Sequence, residues 1–176
     1  MNLEKQILKE HTKAQCTKIV NWVGNDKKKF NELFGLFLHG EYRVTQRAAW
    51  PVSYCVIAHP HLMDHKYEEL LANLKKPNLH DSIKRNTVRL LQSAAIPEKH
   101  AGAVMEICFR YLESPGEAVA IKAFSLTVLQ RLANKYPEIV PEIKLIIEEQ
   151  LPHQSAAFKG RVKKFMKAFP QAKLFL

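Results

Sequence analysis

Apolar residues return at three- and four-residue intervals along most of this chain, the spacing that lines one face of an α-helix. One stripe runs through Phe30, Leu33, Phe34, Phe37 and Leu38, another through Tyr67, Leu70, Leu71 and Leu74, and a third through Val104, Ile107, Cys108, Tyr111 and Leu112. Ile121, Phe124, Ser125, Val128, Leu129 and Leu132 continue the pattern, as do Ile139, Ile143, Ile146 and Ile147. Each stretch predicts a helix with one buried face. Asp26, Asp64 and Asp81 stand where helices should begin, able to accept the amide hydrogens that a first turn leaves unpaired, and Pro115 and Pro152 mark breaks. Pro51 falls inside a helical stretch, where its ring removes a hydrogen bond, so a kink or a split is expected there. No alternating pattern of useful length occurs, which makes the expected class all-α.

The helices recur as a unit. Segments starting at Glu41, Asp81, Glu117 and Gln154 each carry a base near the start, at Arg47, Arg85, Lys122 and Lys159, and each stops at a proline, at Pro60, Pro97, Pro137 and Pro170. The bases lie 38, 37 and 37 residues apart, a period that suits a helix–turn–helix repeat. A lone helix pair cannot cover both of its faces, so neighbouring pairs must stack. The expectation is an α-α superhelix, a solenoid of about four helix pairs whose second helices line the concave side, as a single repeat domain over residues 1–176. Residues 2–24 should cap it as a helical half-repeat, with Lys13 34 residues before Arg47, and the terminal AKLFL segment should dock as the other cap.

The second helices begin with an acid, then a hydrophobic residue, then a base and small residues: Glu41, Val44, Arg47, Ala48 and Ala49; Asp81, Ile83 and Arg85; Glu117, Ile121, Lys122 and Ala123. In this the chain resembles HEAT and armadillo-like repeat proteins over most of its length, although the fourth unit lacks the acid. The resemblance implies a scaffold whose concave surface grips a peptide, a protein or a nucleic acid. It extends distantly to HEAT-like alkylpurine DNA glycosylases, basic solenoids that use concave tryptophans and an aspartate.

Composition narrows the setting. With 47% hydrophobic and 25% charged residues the 176-residue chain reads as globular, and its apolar run from Val44 to Pro60 is interrupted by Gln46 and Arg47, so no membrane span is expected. The segment MNLEKQILKEHTK mixes acids, bases and polar groups and lacks the apolar core of a secretion signal. Cys16, Cys55 and Cys108 form no CxxC pair or even-numbered framework. Free buried thiols in a cytoplasmic protein are expected.

The net charge is +10 and the pI about 9.6, which favours anionic partners. The excess belongs to the second helices. Between Tyr42 and His59, Ser82 and Ala95, Ala118 and Tyr136, and Gln154 and Phe169 there are thirteen bases and no acid, whereas the first helices are mixed. A groove lined this way would neutralise phosphates and release their counterions, or bind an acidic protein segment. The candidate binding residues are Arg43, Arg47, Lys84, Arg85, Arg89, Lys122, Lys159 and Lys163, with Trp50 and Tyr54 as stacking groups. A plainer reading makes Arg47, Arg85 and Lys122 a ladder of ion pairs with Glu41, Asp81 and Glu117, and makes Trp22 and Trp50 core.

The leading reading is a non-catalytic binding module, and the alternative is a DNA-repair glycosylase of the HEAT-like type or an inactive relative of one, for which the sequence offers little chemistry. A glycosylase needs a carboxylate beside its sugar, yet the only aspartates, Asp26, Asp64 and Asp81, sit at expected helix starts. No phosphate-binding loop, nucleophile elbow or HExxH motif occurs, and no cofactor is implied. His59, His61 and His65, with Asp64, are dense enough to ligate a metal but match no zinc spacing.

Overall fold

The computed structural model describes residues 1–170. They form ten α-helices and three short 3-10 turns, with no strand among the described residues. Packing divides the chain into two compact units, Met1–Ile96 and a second that begins at Pro97. The class is the all-α one of helix pairs that the apolar period predicts.

In the first unit α1 (Leu3–Lys9), α2 (Lys13–Val23), α3 (Lys27–His39), α4 (Tyr42–Ala58), α5 (Tyr67–Leu74) and α6 (Asp81–Leu91) follow in order. Helices α2, α4 and α6 pack side by side as one layer, and α1, α3 and α5 as the other. The leading segment is thus two helices rather than one half-repeat. Phe30, Leu33, Phe34 and Phe37 of α3 close on Val44, Ala48, Val52 and Cys55 of α4, all buried. Each fully buried side chain of this size contributes roughly 1.5–3 kcal/mol relative to exposure. The α3–α4 turn is tight. A Cβ at Gly40 would stand 2.6 Å from the Leu36 carbonyl and 2.8 Å from Val44 Cγ1, so only glycine fits.

Helix starts differ in part from expectation. Asp26 caps α3, its Oδ1 accepting from the Lys28 and Lys29 amides at 2.8 and 3.1 Å. Asp64, however, ends a 3-10 turn at Pro60–Met63, and α5 begins only at Tyr67. Asp81 is the first residue of α6 rather than its cap, because His80 Nδ1 takes the Ser82 amide at 3.1 Å. Nor does Pro51 split its helix. α4 is continuous from Tyr42 to Ala58, and Ser53 Oγ donates to the Trp50 carbonyl at 2.8 Å beside the proline.

The second unit contains α7 (Glu98–Glu113), α8 (Val119–Ala133), α9 (Val140–Gln150) and α10 (Ala156–Ala168). α8 packs against α7 and α10, and α7 against α9. Ile107, Cys108, Leu112, Ile121, Leu129, Ile143, Ile147, Phe158 and Phe165 fill the core. Ser155 caps α10 by accepting the Phe158 amide. The expected terminal cap, residues 172–176, lies outside the described residues.

Candidate functional site

Arg43, Arg47, Trp50, Tyr54 and Ile57 follow one another on α4 at intervals of four, three, four and three, so they share one face of the helix. The opposite face, with Val44, Ala48, Val52 and Cys55, is buried. Arg85 and Arg89 stand one turn apart on α6, the helix against which α4 packs. A polar seam sets the register between the two. Buried Ser53 lies 3.4 Å from Asn86 Oδ1, Asn86 Nδ2 donates to the Ser82 carbonyl at 2.7 Å, and Ser82 Oγ donates to the Gln46 carbonyl at 3.3 Å. Slipping α4 along α6 would take the Ser53 hydroxyl from the buried Asn86 Oδ1 and break the Ser82–Gln46 bond, so the seam favours one alignment of the two faces.

Around Trp50 the groups converge. His11 meets the indole edge-on with ring centroids 5.4 Å apart, and Tyr54 also meets it edge-on at 6.4 Å. The Arg89 guanidinium sits over the Tyr54 ring at 5.4 Å. Arg47 Nη1 donates to the Leu8 carbonyl at 2.6 Å, fastening α1 to α4. The Trp50 Nε1 is buried and has no hydrogen-bond partner among the described residues. Desolvation, then the positive charge of Arg47 and Arg85, pushes the His11 pKa below its ordinary 6.5. His11 was not foreseen. It lies in the α1–α2 connection, where no periodicity marks it, and only packing brings it to the indole.

The expected ladder of ion pairs does not form as such. Arg47 reaches the Leu8 carbonyl instead of Glu41. Asp81 pairs with Lys84 at 3.1 Å, and Arg85 is exposed and makes no ion pair among the described residues. Lys84 is therefore occupied locally, with its side chain only 18% exposed. Arg43 is exposed at the head of the α4 stripe. Trp22 stands apart from the cluster under the Lys29 ammonium, 5.1 Å from its ring.

Lys122 requires correction as a binding residue. It occupies the repeat position of Arg47 and Arg85, yet it is 2% exposed, and its Nζ donates to Gln150 Oε1 at 2.7 Å. Desolvation lowers its pKa, opposed by the charge of Glu117. It borders a cleft of about 600 Å³ that Glu113, Glu142 and Glu149 make acidic, the wrong sign for an anion. Lys159 and Lys163 are exposed one turn apart on α10 in the second unit.

The aspartates bring no carboxylate to the cluster: Asp26 caps α3, Asp64 follows the 3-10 turn, and Asp81 holds Lys84. His59 and His61 meet edge-on at 6.1 Å, and His65 has a left-handed backbone with φ 64°. Among the described residues no group of three or more His, Cys, Asp or Glu could hold a metal ion. All three cysteines are free and buried. No described helix is long and apolar enough to cross a membrane.

No match was found among curated proteins or among solved structures, so the likeness to alkylpurine glycosylases has no relative behind it. A family model described as a HEAT repeat domain does match, over residues 3–169, and the chain belongs to that family.

Proposed function

We propose that this protein is a non-catalytic binding module of the cytoplasm whose α4–α6 face receives an anionic partner, a nucleic acid or an acidic protein segment. The observation that carries the reading is the gathering of Arg43 and Arg47 on α4 beside Arg85 and Arg89 on the α6 helix packed against it, with Asp81, the one acid within these two helices, held by Lys84. The repulsion that Arg47 and Arg85 exert adds to burial in lowering the His11 pKa. A negative ligand would relieve that repulsion. Membership of the HEAT repeat family supports a partner-binding role, because such repeats stack into extended surfaces. Free, buried cysteines fit a reducing compartment.

The test is a titration with a structureless polyanion such as inorganic polyphosphate. Affinity should fall steeply between about 50 and 200 mM salt, as counterion release requires. The Arg43→Gln, Arg85→Gln double variant removes two exposed charges and should weaken binding and flatten the salt dependence. No binding at low salt, or equal binding by the variant, would sink the reading.

A further inference from the structure

We infer that the α4–α6 face is a platform for single-stranded nucleic acid, on which an unpaired base stacks against Tyr54 while neighbouring phosphates lie along Arg47, Arg85 and Arg89. This rests on the reading of that face as an anion-binding surface and adds the choice of ligand. The charge alone would serve any polyanion. What it does not require is the aromatic surface among the arginines.

Tyr54 keeps 38% of its surface in solvent and Ile57 one turn on keeps 40%, although Val44, Ala48, Ala49, Val52, Cys55 and Val56 of the same helix are buried. Tyr54 is also held in place. Trp50 flanks it, and the Arg89 guanidinium lies over its ring. A flat, partly open ring next to a planar cation presents a stacking surface to a base and a charge to the adjoining phosphate. At the other end of the same pair of helices Tyr42, 67% exposed, meets His80 edge-on at 6.2 Å. Arg47 falls between Tyr42 and Tyr54 along α4, and Arg85 falls between His80 and Arg89 along the segment that carries α6. Tyr42 and Tyr54 are twelve residues apart on one helix, roughly 18 Å along its axis and about a third of a turn round it, so Tyr42 borders the stripe that Tyr54 belongs to.

The alternation of aromatic and basic groups separates the candidate ligands. A duplex hides its bases in the stack and offers an outer rail of phosphates, so Tyr54 would have nothing to stack on. An acidic peptide supplies carboxylates, which the arginines satisfy without the rings. A single strand uses both, since every base has a π-face and stacking is tolerant of sequence. Arg47 contributes a charge already fixed in position by its bond to the Leu8 carbonyl, which reduces the ordering a ligand must impose.

The experiment measures fluorescence anisotropy of a labelled mixed-sequence DNA oligonucleotide bound to the whole chain, in single-stranded and duplex form, with polyglutamate as competitor. The single strand should bind more tightly than the duplex. Tyr54→Leu, a change at a partly exposed site checked for folding by circular dichroism, should lower single-strand affinity about 5- to 100-fold while leaving duplex affinity and the salt slope unchanged. Arg85→Gln should weaken every polyanion and reduce the slope by about one. Equal affinity of Tyr54→Leu and wild type for the single strand would overturn the stacking platform even if polyphosphate still binds. So would polyglutamate displacing the strand at equal charge concentration, an outcome that favours an acidic protein partner. Loss of all polyanion binding at low salt would instead remove the underlying reading.

Discussion

Lys122 and Gln150, 28 residues apart, meet at 2.7 Å in the second unit, with the lysine almost wholly buried. The same amide donates from Nε2 to the carbonyls of Leu112 and Glu113 at 2.8 and 3.0 Å, closing the end of α7 where carbonyls lack helical partners. Gln150 is thus the hub and Lys122 one spoke. Gln150→Leu should destabilise the protein by about 2–3 kcal/mol, because it strands a buried ammonium and takes the donor from the part-buried Leu112 carbonyl. Lys122→Met should be milder, since it removes the desolvated charge and leaves Gln150 Oε1 with Gln154 Nε2 at 3.4 Å. Urea midpoints of the two variants decide the order, and the reverse order would make Lys122 the hub.

The same lysine predicts a pH effect. Its folded-state pKa lies below 10.5, so the folded state sheds this proton before the unfolded chain does. Stability from this group therefore rises with pH between the lowered value and 10.5 and is reduced below it. Denaturant titrations at several alkaline pH values should show that rise in wild type relative to Lys122→Met.

Gly40→Ala should cost about 1–3 kcal/mol, because the new methyl would meet backbone at Leu36 and a β-branched side chain at Val44, neither of which can step aside. The helical content should survive with a lower melting temperature. An unchanged melting temperature would mean that the α3–α4 turn opens without penalty.

The three thiols should be silent in the native protein. Burial raises Cys16 to about 11, against the opposing charge of Arg89, and raises Cys55 and Cys108 to about 12. At pH 8 thiolate is scarce and access is poor. Ellman's reagent should label none of the three within minutes and all three after denaturation. Because these pKa values are raised, their contribution to stability is complete below 9.0 and is lost as pH climbs towards the folded values.

His11 should titrate below 6.5 by NMR, and more of its protonated form should appear when a polyanion binds. Its depressed value means that acidification through this window disfavours the folded state, while stability from this residue recovers as pH rises to 6.5. Arg85→Gln should move the His11 titration upward. A titration unmoved by that variant would show that the arginine field does not reach the imidazole.

Much of the architecture was legible because helix and repeat leave periodic marks. The stripes through Phe30 to Leu38 and Val104 to Leu112 named α3 and α7 and their buried faces, and the spacing from Arg47 to Arg85 to Lys122 named the pairing. Caps were less legible. Asp81 and His80 are adjacent acceptors, and which of them faces the first turn depends on backbone angles that composition does not encode. The Arg47, Trp50 and Tyr54 stripe could be placed on one face from spacing alone, but His11 could not be added, since its approach is set by how α1 and α2 lie on α4.

The amino-acid order by itself determined that the chain is helical, that its helices come in pairs, and that bases gather on the second member of each pair. Only the tertiary structure decided which of those bases meet solvent. Arg85 and Lys122 hold equivalent repeat positions, yet one is exposed on α6 and the other is sealed beside Gln150. The physical reason is that periodicity specifies the direction a side chain takes from its own helix, while exposure depends on what the neighbouring helix places in that direction.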